Sequence, residues 1–229
     1  MIPWLDPDDD QGPFPPPEAA LAEPDGLLAA GGSLRPLRLL RAYRQGIFPW
    51  FNPGEPILWW HPSRRAVIFP EDLHLSRSTR KALRRRPFQI TWNTAFGEVM
   101  RACAAPRRGQ TGTWIGPDMI EAYQRLHRLG YARSVECWRD GELVGGIYGV
   151  QLGRVFFGES MFSRVDNASK AALAAVAAAP DVALIDCQLP NPHLERLGMV
   201  LLPRARFVEL LDRWCEPALG SPPRVGRSA

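Results

Sequence analysis

Cysteine is scarce and scattered. The chain of 229 residues holds 4 cysteines, Cys103, Cys137, Cys187 and Cys215, with no C-x-x-C pair and no histidine near enough to complete a zinc knuckle. That spacing excludes a disulfide-stapled scaffold and a structural zinc site, and leaves free thiols in a reducing compartment as the expectation. Long apolar runs are missing too: the longest, 171–179, falls far below the ~18–20 residues a membrane-crossing helix needs. The N-terminal segment is acidic and broken by proline, unlike a secretory leader, so a cytoplasmic protein with no membrane partner is expected. The phosphate loop, the dinucleotide fingerprint after a strand, H-E-x-x-H and G-x-S-x-G are all absent. Nothing therefore signals nucleotide hydrolysis, zinc peptidase or serine hydrolase chemistry. Neither a metal nor a cofactor is expected.

Proline and tryptophan are abundant. The chain has 23 Pro, 20 Gly and 8 Trp, and proline runs at twice the usual ~5%. With 45% hydrophobic and 23% charged residues, the composition is that of a globular protein and excludes wholesale disorder. The net charge of +4 conceals an asymmetry. Residues 1–60 hold 4 basic and 8 acidic side chains, residues 61–110 hold 11 and 3, and residues 111–229 hold 13 of each. The positive charge is one block, as an anionic partner requires; a solvated helix face is the competing reading.

Punctuation by proline, glycine and polar caps organises the chain. A helix is expected after Gly32, capped by Ser33, with Pro36 in its first turn and Gly46 beyond its end. Leu37, Leu40 and Tyr43 share one side of it, and Arg38, Arg41 and Arg44 another. The aromatic segment 46–54 reads as a loop too rich in proline for regular structure. A strand at 65–69 precedes a helix at 76–86 that carries Arg77, Arg80, Lys81, Arg84, Arg85 and Arg86. Next come a strand at 89–92, a helix capped by Asn93 and running to about 104, a basic loop at 106–114, and a helix bracketed by Pro117 and Gly130. The period then changes to two, with strands at 134–138 and 143–150 around an Asp140-Gly141 hairpin turn and a third at 155–157. An alanine-rich helix capped by Asn167, a buried strand at 182–187, a short helix at 193–197 and an amphipathic helix at 206–214 complete the order. It predicts an α+β fold.

Several residues stand out against this scaffold. Trp50 and Trp114 lie in Gly/Pro-rich loops, suited to stacking on bases, which is worth ~1–3 kcal/mol per base; closure over the core is the plain alternative. Gly145, Gly146 and Gly149 interrupt a strand, either for tight packing or for close approach of a ligand. Glu159 stands among Phe156, Phe157, Met161 and Phe162, where a carboxylate needs a partner: Arg164, a helix N-terminus, or a ligand. Asp186 and Gln188 end a buried strand, and alternation puts them on one face. An amide backed by a polarising carboxylate is suited to holding a nucleophilic nitrogen, although two simply hydrogen-bonded strand-end residues fit the spacing as well. The basic helix and the loop tryptophans together suggest an RNA end, phosphates on the arginines and a terminal base on an indole.

Eight blocks carry a further signal: PDGLLAAGG (24–32), AYRQGIFPWF (42–51), PILWW (56–60), GTWI (112–115), LVGGIYG (143–149), GESMFSR (158–164), NASK (167–170) and LIDCQ (184–188). In these the chain closely resembles the leucyl/phenylalanyl-tRNA–protein transferase family, over roughly residues 20–210. The resemblance implies a small N-terminal domain (1–61) followed by a GNAT-like, acyl-CoA N-acyltransferase-like domain (62–229). It implies transfer of Leu, Phe and, less so, Met from aminoacyl-tRNA to the N-terminal Arg or Lys of acceptor proteins, marking them for N-degron proteolysis. By the same resemblance, Trp50 and Trp114 hold the terminal adenosine of the tRNA. Ile147, Phe156 and Leu173 form the pocket for the aminoacyl side chain, with Glu159 and Ser160 beside it. Arg80, Lys81, Arg84 and Arg85 meet the acceptor stem. Asp186 and Gln188 are the implied catalytic pair, Asp186 as a general base or as an orienting group. Position 147 is often Met or Leu in the family, so Ile147 implies a narrower preference for long unbranched side chains. A monomer is expected. A CoA-dependent acetyltransferase and a non-catalytic tRNA-binding protein are the alternatives.

Overall fold

A computed structural model describes residues 2–106 and 113–215. Most of the expected basic loop, 107–112, therefore lies outside the described residues. The first elements are β1 (Trp4–Leu5), β2 (Leu27–Gly31), α1 (Pro36–Arg44), β3 (Phe48–Pro49) and β4 (Leu58–Trp60). Their strands form a sheet in the order β1-β2-β4-β3. One expectation changes here. The aromatic segment is not wholly irregular, because Phe48 and Pro49 pair with Trp60 and Trp59. Of the α1 arginines, Arg38 is buried. Its guanidinium donates to the main-chain oxygens of Asp9 and Gly12 and lies over the Phe14 ring, so its apolar stem serves as core. Pro36 opens α1 as expected, but the capping position is Arg35, whose N–H is taken by the Ser33 hydroxyl.

The larger part comprises β5 (Arg64–Ile68), α2 (Arg77–Arg84), β6 (Gln89–Trp92), α3 (Phe96–Ala104), α4 (Pro117–Arg128), β7 (Ala132–Arg139), β8 (Glu142–Leu152), β9 (Val155–Ser163), α5 (Ala168–Ala177), β10 (Leu184–Gln188), α6 (Pro192–Glu195), β11 (Val200–Pro203) and α7 (Arg204–Trp214). Its seven strands run in the order β11-β5-β10-β9-β8-β7-β6. Every neighbouring pair is antiparallel except β9 and β10. The architecture is a mixed α and β fold. The β7–β8 turn has positive φ at both Asp140 and Gly141, the geometry whose twist suits a two-residue hairpin. Ser76 caps α2 by accepting the Thr79 N–H. Neither asparagine makes a side-chain capping bond: the cap of α3 is Ala95, and Asn93 accepts the Ser134 N–H, whereas Asn167 stands at the cap position of α5 but its side chain accepts from Thr79 of α2 and Lys170. The strand glycines are packing sites. A Cβ on Gly145 would lie 2.4 Å from that of Ala168, and one on Gly149 would lie 2.2 Å from the Phe157 carbonyl oxygen.

One apolar cluster joins the two sheets, running from Leu28 and Trp59 through Tyr43 and Phe48 to Phe157 and Phe207. Two irregularities matter for the site. Tyr148 pairs with Ser160 and Gly149 with Gly158, which leaves Glu159 as the extra residue of a bulge in β9. Asp186 pairs with Val67 and Gln188 with Ala66, which makes Cys187 the extra residue in β10. The parallel pairing of β9 and β10 ends at Phe157 and Asp186, just before both bulges. Bulges kink strands and re-aim side chains, and here they do so on adjacent strands.

Candidate active site

A cavity of about 710 Å³ opens beside the two bulges. Of the residues singled out in the sequence, Trp50, Trp114, Ile147, Glu159, Ser160, Leu173 and Asp186 all border it. Ile185 and Leu194 extend its apolar wall. Trp50 is 40% exposed, packs at a tilt against Trp60, and its carbonyl accepts the Trp60 indole N–H. Trp114 is half-buried against the main core. Phe156, expected in the pocket, is fully buried and does not border it. Its ring is packed against Gly149 and shares an apolar cluster with the cavity residues Ile147, Leu173 and Ile185.

Glu159 is 8% exposed, and neither Arg164 nor a helix N-terminus is its partner. Its Oε1 accepts the Tyr43 hydroxyl at 2.6 Å and the Gln188 side-chain amide at 2.8 Å, and its Oε2 accepts the Tyr123 hydroxyl at 3.2 Å. The two tyrosine hydroxyls also touch each other. Burial pushes the Glu159 carboxyl up to about 7, opposed by the two hydroxyls, with the charge of Asp186 adding to the rise and Arg65 opposing it. Burial and the Glu159 charge hold Tyr43 and Tyr123 well above the usual phenol range, so both remain donors at neutral pH.

Asp186 is fully buried and lies in a two-pronged ion pair with Arg65, Nε to Oδ1 at 2.8 Å and Nη2 to Oδ2 at 2.7 Å. The remaining Arg65 nitrogen donates to the Gly46 carbonyl, and the guanidinium is sandwiched between the Phe48 and Phe207 rings. This corrects the expected pairing of side chains. The carboxylate on the Gln188 amide is that of Glu159, whereas Asp186 accepts the main-chain N–H of Gln188 at 2.9 Å. That bond fixes Gln188 at φ +63, a left-handed conformation disfavoured for a non-glycine residue. The bulge thus breaks the simple alternation of 186 and 188. Burial raises the Cys187 thiol far from thiolate formation. Burial, then Arg65 and Arg204, push His61 down to about 3, which leaves it a neutral packing group.

The sequence did not single out Arg65, Tyr43 and Tyr123 as site residues. An arginine directly before the apolar run 66–69 was the available signal for the first. Among the described residues, no cluster of His, Cys, Asp and Glu could hold a metal ion, and no helix is long and apolar enough to cross a membrane. In α2 and at its C-cap, Arg80, Lys81, Arg84 and Arg85 are exposed. None of them takes part in the ion pairs found among the described residues.

Comparison with known proteins sets the class. A family model described as leucyl/phenylalanyl-tRNA protein transferase matches residues 67–212, and the model of its N-terminal domain matches residues 32–63. The class is therefore that of aminoacyl-tRNA-dependent transferases, which are enzymes. A leucyl/phenylalanyl-tRNA–protein transferase of Nitrosomonas eutropha is 57% identical over 204 residues, 88% of this chain and 87% of that protein. One from Azoarcus sp. is 55% identical over 217 residues (93% and 91%), and one from Nitrosospira multiformis is 53% identical over 228 (94% and 97%). The chain belongs to the leucyl/phenylalanyl-tRNA–protein transferase family. One solved structure shows a more distant likeness. A functionally unknown conserved protein from Staphylococcus epidermidis covers 77% of this chain and 68% of its own at 12% identity and a TM-score of 0.42, too remote to bear on the fold.

Proposed function

We propose that the chain moves Leu, Phe and, less readily, Met from aminoacyl-tRNA to the N-terminal Arg or Lys of acceptor proteins, a mark for N-degron proteolysis. The observation that carries this reading is the cavity. It combines an apolar wall (Ile147, Leu173, Ile185), two tryptophans and the buried carboxylate of Glu159, to which the Gln188 amide, itself off the cavity wall, donates. Its volume is within the range of small-molecule sites, ~300–1,000 Å³.

The aminoacyl ester is already activated, so the enzyme needs chiefly to position it and to present a neutral amine. On this reading Trp50 and Trp114 stack on the terminal adenosine, and Ile147 and Leu173 receive the aminoacyl side chain, with Glu159 and Ser160 beside it. The Gln188 amide holds the attacking nitrogen, and Asp186 orients Gln188 through its main chain. The ribose oxygen leaves and takes up a proton. Arg80, Lys81, Arg84 and Arg85 receive acceptor-stem phosphates. The Thr79–Asn167 hydrogen bond supports that assignment, because it ties α2 to the start of α5, the helix carrying Leu173. The same reading divides the chain at 61/62, makes the second part GNAT-like, and describes a cytoplasmic monomer that uses no cofactor.

Transfer of labelled Leu, Phe and Met from tRNA to an Arg-initiated peptide is the test, with an acetyl-CoA arm beside it. Peptide labelled from Phe- and Leu-tRNA is expected. Acetylation alone would overturn the reading in favour of a CoA-dependent enzyme, and tRNA binding without transfer in favour of a non-catalytic protein.

A further inference from the structure

The attacking amine arrives at neutral pH largely as an ammonium ion, since an α-amino group titrates near ~7.7–8.0. Some group at the cavity must take a proton from it. Asp186 is poorly placed for that task. Both of its oxygens are engaged by Arg65 with neither partner exposed, and protonating it would leave a buried guanidinium unpaired. Cys187 stays a protonated thiol. Glu159 differs on each count. It borders the cavity, is displaced from the strand ladder by the bulge, and has only uncharged hydrogen-bond partners: Tyr43, Tyr123 and Gln188. A carboxylate offers about four lone-pair sites, and three donors occupy it here.

We propose that Glu159 is the proton acceptor of the transfer reaction, and that the Arg65–Asp186 pair is a positioning device that aims the Gln188 amide at it. This rests on the aminoacyl-transfer reading above. One ammonium proton passes to the Glu159 carboxylate, and the freed nitrogen lone pair attacks the ester carbonyl carbon. The C–N bond forms and the C–O bond to the ribose breaks. A second proton moves from that nitrogen to the departing ribose oxygen, which leaves as a hydroxyl. Glu159 then returns its proton to solvent.

The groups facing Glu159 set its titration. They are Tyr43 from α1, Tyr123 from α4, Asp186 and Gln188 from β10, and Arg65 from β5, with Tyr148 of β8 behind Tyr123. The resulting level of about 7 is close to that of the amine, as proton transfer requires.

The test is the pH profile, from about 5.5 to 9, of Phe transfer from Phe-tRNA to an Arg-initiated peptide, a range that brackets both groups. Glu159→Gln should slow transfer at pH 7 by about 10²–10⁴-fold and leave tRNA affinity unchanged. The deficit should shrink above about pH 8, where the amine is already neutral. Tyr43→Phe removes a hydroxyl that holds the carboxyl down, so it should move the acidic limb of the profile upward by about half a unit or more. Glu159→Gln transfer within about threefold of the parent across the range, far short of a general-base deficit, would overturn the proposal while the transfer reading stands. So would an unmoved limb in Tyr43→Phe. No transfer by the parent enzyme would overturn both.

Discussion

Strands β9 and β10 run parallel as far as Phe157 and Asp186, and each brings a carboxylate to the cavity from beside a bulge. On β10 the carboxylate faces a cation clamped between two aromatic rings; on β9 it faces two phenols and an amide. Both groups are buried, and Glu159, whose hydrogen-bond partners are all uncharged, is pushed up to about 7. A buried carboxyl with no cation bonded to it is held nearer its neutral form. Helix α2 extends the comparison outward, since its exposed cations take part in no ion pair among the described residues.

The sharpest way to break the comparison is to remove the cation. Arg65→Met leaves Asp186 buried and unpaired, a change expected to cost about 3–5 kcal/mol in urea unfolding. The double variant Arg65→Met/Asp186→Leu should regain most of that loss. A single-variant loss below about 1 kcal/mol would mean that the pair does not hold this junction.

A smaller effect belongs to Glu159. Its folded-state pKa lies above its unfolded one, so it favours the folded state below about 4.5, and that contribution is lost as pH rises towards about 7. Glu159→Gln should therefore gain stability relative to the parent between about pH 4 and pH 8, by about 3 kcal/mol. Thermal melts at the two pH values check this, and parallel pH trends in both proteins would contradict it.

The smallest expected effect on stability comes from outside. Replacing Arg80, Lys81, Arg84 and Arg85 by alanine should change unfolding free energy by no more than about 0.5 kcal/mol. The same change should flatten the salt dependence of tRNA binding, by up to ~0.7–0.9 in slope for each phosphate no longer neutralised. An unaltered slope would move the RNA surface elsewhere.

What the sequence made legible was local. Asp140-Gly141 specified its hairpin, and Pro36, Pro117 and Gly130 bracketed their helices, because each acts through its own backbone. Seven of the expected site residues meet at one cavity. The bulges were hidden, because a bulge belongs to a pair of strands and not to one. Arg65 was hidden for a similar reason: its partner lies 121 residues away. Asn93 misled, and Asn167 marked its helix start without making the capping bond, because an asparagine that fits a cap fits a tertiary hydrogen bond equally well.

Tyr43 belongs to α1, in the first part of the chain, yet its hydroxyl ends on Glu159 in the second. Gly46, from the same stretch, supplies the carbonyl that completes the Arg65 shell. The candidate site is therefore not modular. A fragment beginning at residue 62 would keep every carboxylate and tryptophan of the cavity except Trp50, and would still lack Tyr43 on the acid and Gly46 and Phe48 on the cation. Any transplant of this cluster onto another scaffold has to carry the stretch 43–50 with it.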